Sequence, residues 1–286
     1  METIRSFGNF VIGPGFVPQL LLVVVIMLVF YTVVTIIETF IDGIRSYKRQ
    51  AVTLLQDTYT STQTIAQNLD NKDTLLYPSV NEVHGLEFSY ACHLFIDPET
   101  FQGNGATNSS EVRLKHVFHK GSANAWPLLG PGVFVNSQNN ALRIYMNSSK
   151  DWNNYVEIDN MPVGKWFHLV ITQKGQYMDI YINGNIKTHH EFSAVPKINY
   201  GNVYVMSSTE FPTSGALENM RGEDGKAIVI SGPMKGMVSR LRYYAYALNY
   251  SQIDSLYREG PSKVIVSPSF SQKPPYFRDD WWVTDY

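Results

Sequence analysis

Two kinds of hydrophobic pattern divide the chain. The first is continuous: Phe16–Ile37 reads FVPQLLLVVVIMLVFYTVVTII and holds no charged residue. A helix in water keeps one polar face, so a run that is apolar all round suits lipid instead. At 1.5 Å per residue it covers about 33 Å, enough for about 30 Å of bilayer hydrocarbon. It is too long for a signal-peptide core, and no small-x-small cleavage site follows it. The second pattern alternates with period two. In Val163–Lys187, the runs Trp166–Thr172 and Tyr177–Ile182 flank the polar turn Gln173-Lys174-Gly175-Gln176. Met178, Ile180 and Ile182 share one face of a strand, with Asp179, Tyr181 and Asn183 on the other. Asn183-Gly184 then supplies the positive φ angles of a tight hairpin turn.

The same alternation, broken by turn clusters, recurs along most of the chain. It predicts strands at Phe88–Ile96, Arg113–His119, Gly132–Val135, Leu142–Met146, Tyr155–Ile158, Asn202–Ser207, Ala227–Ile230 and Gly236–Tyr244. One short helix is expected at Tyr250–Arg258, with Asn249 as its cap, Gln252 at the third position and Gly260-Pro261 at its end. Many strands without βαβ alternation predict a mainly β protein, an antiparallel two-sheet sandwich behind one N-terminal transmembrane helix. The expected organisation is an N-terminal segment (1–15), the membrane helix (16–41), a juxtamembrane helix and stalk (42–80), the sandwich (81–262) and a Pro/aromatic arm (263–286).

Two blocks carry a resemblance. Gly164, Trp166 and His168, followed by Tyr181, Asn183 and Gly184, are similar to the central hairpin of the laminin-G/concanavalin A-like family of lectins and glucanases. Gly236-Met237-Val238, Leu241-Arg242-Tyr243-Tyr244, Ala247-Leu248, Ile253 and Leu256-Tyr257 resemble that family's closing strand and short helix. The resemblance covers roughly Asn81–Ser262 and implies a jelly-roll sandwich.

The totals narrow the setting. A chain of 286 residues with a formal charge of −2 and scattered basic residues has no global attraction for nucleic acid. Cys92 is the single cysteine, so no intrachain disulfide exists, which leans toward a reducing compartment. Its apolar surroundings, Phe88–Ile96, predict a buried, inert thiol. Only Arg5 precedes the apolar run, whereas Arg45, Lys48 and Arg49 follow it, which places the C-terminal part on the cytosolic side. Three sequons, at Asn108, Asn147 and Asn249, point weakly the other way.

Candidate chemistry is sparse. The glucanase relatives resemble one another in a Glu-x-Asp-x-x-Glu strand; Glu157-Ile158-Asp159 matches its first half, but Pro162 stands where the second Glu belongs. A retaining glycosidase needs two carboxyls about 5 Å apart, so Glu157 and Asp159 read as a solvated strand edge and no catalytic residue is assigned. His116 and His119, three apart on a strand, are expected to point to opposite faces, as are His189 and His190. His168 reads as a structural histidine. No cofactor is expected. Calcium, which the family's relatives often hold, finds weak candidates in Glu218, Asn219, Glu223 and Asp224, but Ser239-Arg240 replaces the family's acidic pair. Trp126 and Trp152 are ligand-surface candidates, and Tyr276, Phe277, Trp281 and Trp282 are docking candidates on the arm.

These residues point to a non-enzymatic anchor whose partners are a lipid bilayer and lattice proteins. Anchored sandwiches without disulfides resemble minor capsid proteins of large double-stranded DNA viruses, which implies a tether between an internal virion membrane and the capsid. The alternative is a membrane-anchored lectin or adhesion module binding glycan or protein. A membrane-bound glycoside hydrolase comes third.

Overall fold

The computed structural model describes residues 15–69, 72–79, 82, 85–101, 111–125, 128–211 and 226–266. The chain divides into two units, residues 1–49 and 50–286. Helix α1 (Phe16–Gln50) dominates the first. Within it, Gln19–Ile41 has a mean hydropathy of 3.1, its apolar window holds no buried residue, and it is long and apolar enough to cross a membrane. Thr32, Thr35 and Thr39 turn their hydroxyls back to the carbonyls of Val29, Tyr31 and Thr35 at 2.8–2.9 Å. These hydroxyls are therefore satisfied within the helix, as a membrane span would require.

The second unit is a sandwich of two eight-stranded sheets. Its elements in order are β1 (Ala51–Thr53), β2 (Thr58–Tyr59), β3 (Gln63–Ile65), β4 (Glu87–Ile96), β5 (Glu111–Gly121), β6 (Leu129–Asn136), β7 (Ala141–Tyr145), β8 (Tyr155–Asp159), β9 (Trp166–Lys174), β10 (Tyr177–Ile182), β11 (Asn185–Glu191), β12 (Asn202–Val205), β13 (Glu210–Phe211), β14 (Ala227–Pro233), β15 (Gly236–Tyr244), helix α2 (Tyr250–Glu259) and β16 (Ile265–Val266). The first sheet runs β11-β10-β9-β4-β15-β2-β16, with β1 also on β15. The second runs β13-β14-β5-β6-β7-β8, with β12 joining β5 to β3. Pairing is antiparallel except for β14 on β5 and β16 on β2.

Alternation builds the core. Tyr90, Cys92, Leu94 and Ile96 of β4, Phe167, Leu169 and Ile171 of β9, and Met178 and Ile180 of β10 face Val133 and Val135 of β6 and Leu142 and Ile144 of β7. Burial pushes the Cys92 thiol up, so it stays protonated and inert. The Asn183-Gly184 turn has φ of 50° and 80°, as a two-residue hairpin loop requires. At α2, Asn249 and Gln252 form a reciprocal capping box, the Asn249 side chain accepting at 2.9 Å and the Gln252 side chain at 3.0 Å. Ile253 fixes the helix to the outer face of the first sheet through Ala91, Val170, Tyr244 and Leu248.

The expected stalk needs correction. Ala51–Ile65 is part of the sandwich: β1 pairs with β15, β2 with β15 and β3 with β12. Val52, Leu54, Leu55 and Ile65 enter the main core, and that burial outweighs the polar character of the residues between them. The domain therefore begins near residue 50, not 81. It also extends past 262, because Ile265–Val266 of the expected arm forms β16.

Candidate functional site

Glu157 lies on the outer face of the second sheet, opposite an arginine. Arg143 and Glu157 are register partners on β7 and β8. The Arg143 Nε donates to Glu157 Oε2 at 2.9 Å and its terminal nitrogen donates to the same oxygen, while Asn136 Nδ2 donates to Oε1 at 3.0 Å. Tyr155 stacks its ring 4.2 Å from the guanidinium, and the Tyr145 hydroxyl accepts from it at 3.3 Å. Both oxygens of Glu157 are thus engaged, and Arg143 is only 4% exposed. The expected solvated edge is corrected for Glu157, which is half of a largely buried ion pair; Asp159 is exposed as expected.

The histidine geometry also departs from expectation. The ladder between β5 and β6 shifts between His116 and Phe118, so Val117 and Phe118 both turn into the core. That bulge returns His119 to the side of His116. The rings meet at 2.6 Å between His116 Nε2 and His119 Nδ1. The Ser207 N–H donates to His116 Nδ1 at 2.9 Å, so the His116 proton sits on Nε2 and is donated to His119 Nδ1. His119 then donates from Nε2 to the Ser122 carbonyl at 2.8 Å. Every ring nitrogen is used once and both rings are neutral. Burial lowers the pKa of His116 and takes that of His119 down to about 4. The pair stitches β5 to the Ser207 loop, and it leaves no lone pair for a metal. His189 pairs with Asp179 and stacks on Tyr177 at 5.2 Å, while His190 lies against Phe192.

A small, shallow cleft open to solvent lies between residues of the two sheets. Tyr77, Phe88, Tyr90, Tyr200 and Tyr243 line it with Lys120. Lys120 Nζ donates to the carbonyls of Asn199 and Gly201, both at 2.8 Å, and Asn199 Nδ2 returns a bond to the Lys120 carbonyl at 3.1 Å. Burial lowers the Lys120 pKa to about 8. No sequence signal marked this lysine, since its partners are backbone carbonyls far along the chain. The Tyr243 hydroxyl donates to the Tyr77 carbonyl at 2.7 Å, closing the cleft floor. The cleft gives an open, aromatic mouth.

Of the ligand-surface candidates, Trp152 is 37% exposed; Trp126 lies outside the described residues. So do the calcium candidates Glu218, Asn219, Glu223 and Asp224, and the docking candidates Tyr276, Phe277, Trp281 and Trp282. Among the described residues no group of three or more His, Cys, Asp or Glu side chains is placed to hold a metal. Two sequon asparagines have structural work. Asn147 is 5% exposed; its Oδ1 accepts from the Leu129 N–H and its Nδ2 donates to the Trp152 carbonyl at 2.7 Å. Asn249 caps α2.

A family model described as the concanavalin A-like lectin/glucanases superfamily matches residues 94–254. No curated protein matches the chain. Among solved structures, the chain is similar to the botulinum neurotoxin serotype D ligand binding domain in complex with N-acetylneuraminic acid. That match has 13% identity and a TM-score of 0.44, over 72% of this chain and 44% of that one. The botulinum neurotoxin DC binding domain in complex with rat synaptotagmin II matches at 16% identity and TM-score 0.38, over 60% and 35%. The botulinum neurotoxin type G receptor binding domain matches at 11% identity and TM-score 0.43, over 73% and 46%. In each case the match spans less than half of the other chain's length.

Proposed function

The chain belongs to the concanavalin A-like lectin/glucanases superfamily, and from that premise we propose that it is a membrane-anchored, non-catalytic interaction module. In this reading α1 holds the lipid and the sandwich ties the bilayer to a protein lattice, such as the capsid around an internal virion membrane. The observation that carries it is α1 itself, whose Gln19–Ile41 stretch is long, apolar and unburied. The engaged state of Glu157 supports a non-catalytic role, because the residue nearest a glucanase motif is committed to Arg143 and Asn136.

Two features support a cytosolic sandwich in this reading. Arg45, Lys48 and Arg49 beyond the span favour a cytosolic sandwich. Asn147 adds to this: a glycan on its Nδ2 would break the bond to Trp152 and could not fit a site 5% exposed. A lumenal domain would expose that sequon to the glycosylation machinery before folding, and a glycan added there would oppose the fold.

A second reading, glycan or protein-ligand binding at the surface, rests on exposed Trp152 and the aromatic mouth around Tyr200, which is 83% exposed. Protease treatment of sealed vesicles carrying the full chain separates the two. The tether reading expects the sandwich to be digested from the cytosolic side and to carry no glycan. Protection, or a glycan at Asn108, would sink it and favour the lectin. Removing residues 267–286, beyond β16, should release the protein from its lattice with the sandwich still folded; undiminished co-assembly would remove the arm from the account.

A further inference from the structure

The outer face of the first sheet carries a charged cluster that the anchor-and-platform reading does not use. His93 on β4 and His168 on β9 lie side by side, ring centroids 4.6 Å apart and 33° from parallel. They are 5% and 1% exposed. Beside them β15 presents Arg240 and Arg242, and the last residue of α2, Glu259, reaches both. Arg242 clamps it with two bonds, Nη1 to Oε2 at 2.5 Å and Nη2 to Oε1 at 2.7 Å, and Arg240 pairs with Oε1.

Three features show that this cluster is not there for stability alone. The first is charge. Two guanidiniums share one carboxylate, and among the described residues no second acid pairs with either. One positive charge is left over. The second is backbone strain. The β15–β4 ladder shifts between Ser239 and Arg242, and Arg240 sits at the bulge with φ 51°, a conformation that glycine adopts freely and arginine at a cost of about 1 kcal/mol. The strained residue supplies one of the two guanidiniums. The third is Glu259, whose negative charge sits at the negative end of the α2 dipole, where a cation would be favoured. Its position serves the arginines, not the helix.

Donors remain open in the cluster. Arg240 Nε and His168 Nδ1 are buried and without a hydrogen-bond partner, and the Tyr257 carbonyl lies near the His93 ring outside hydrogen-bond geometry. Burial takes His93 down to about 4 and His168 to about 3, with Arg242 pressing both in the same direction. Both rings are therefore neutral near pH 7 and offer N–H groups without adding charge.

We propose that Arg240, Arg242, His93 and His168 form a carboxylate-binding site on the outer face of the first sheet, occupied in this structure by Glu259, which an external acidic ligand displaces. The bidentate fit of Arg242 to Glu259 is the fit such a ligand would make. Gly260, with φ 68°, follows Glu259 directly and lets the displaced end of α2 swing outward. The site stands whichever side of the membrane the sandwich occupies.

Succinate and inorganic phosphate, at matched ionic strength in chloride, serve as probes on the full chain in detergent micelles with ¹⁵N-histidine labelling. The expected result is a succinate-dependent shift of the His93 and His168 ring signals, saturable, with His116 and His119 unmoved. Glu259→Gln removes the internal competitor while keeping the helix cap and Ile253, and should tighten succinate by about tenfold, or about 1.4 kcal/mol. Arg240→Gly keeps the positive-φ backbone, relieves its strain and removes the guanidinium, so it should fold normally and lose the response. Unchanged affinity in Glu259→Gln, or a full response in Arg240→Gly, would overturn the site. A chloride response equal to that of succinate would reduce it to screening and overturn it too. A stronger response to phosphate would overturn the choice of a carboxylate.

Discussion

Replacing Glu157 with Gln tests whether that carboxylate is structural. The change is close to isosteric and leaves the Asn136 contact in place, so what it removes is charge. Arg143 would then remain 4% exposed with a tyrosine hydroxyl and a tyrosine ring as its company. Breaking a fully buried ion pair costs about 3–5 kcal/mol, because the surviving charge loses its partner without regaining water. The Glu157 side chain is 22% exposed and the Arg143 side chain 5%, so solvent can reach one end of the pair. Discounting for that, Glu157→Gln should destabilise the sandwich by about 2 kcal/mol. At about 2–4 °C per kcal/mol for a domain of this size, the melting point should fall by about 4–8 °C. Urea unfolding followed by circular dichroism on the full chain reads the difference as a shift in midpoint at constant slope. Arg143→Met alone should cost less, since it strands only a partly hydrated carboxylate, and Glu157→Gln on top of it should cost little more. A Glu157→Gln protein within about 0.5 kcal/mol of the parent would refute the buried-pair argument. β-Glucan turnover lost on this substitution without a stability change would make Glu157 catalytic instead.

Other expectations follow from the same contacts. His93, His119 and His168 titrate near 3–4 in the fold against about 6.5 in the unfolded chain, so the unfolded state binds more protons between those values. Stability should be full above about pH 6.5 and fall by about 1.4 kcal/mol per pH unit for each of them on the way to pH 4; urea midpoints that stay flat from pH 7 to pH 4.5 would contradict their burial as neutral rings. Asn147→Ala strands the Leu129 N–H and should cost about 2 kcal/mol, readable as an earlier unfolding midpoint. Asn249→Ala removes the α2 cap and should cost about 1 kcal/mol, with faster hydrogen exchange confined to residues 250–254.

How much of this was legible in the sequence depended on the range of the interaction. The β10 alternation, the Asn183-Gly184 turn and the α2 capping box are set by neighbours within a few positions, and they stand where the pattern put them. The strands β1 to β3 are two or three residues long, too short to show a period, and their partners lie about 140 to 190 residues away. Polar composition therefore read as a stalk. The His116–His119 pair was missed because a rule of strict alternation has no place for a bulge at Val117–Phe118, which the register of β6 imposes. Arg143 became visible as the partner of Glu157 only once β7 and β8 were aligned. The strained Arg240 carries no local signal, since nothing short-range distinguishes it from an ordinary strand arginine.

The way the chain enters the sandwich has a mechanical consequence. From residue 51 to residue 65 it pairs first with β15 in one sheet and then with β12 in the other. A pull along the polypeptide from the N-terminal side would be shared by two sheets before it reached the rest of the core. The junction is a stitched seam instead of a slack leash.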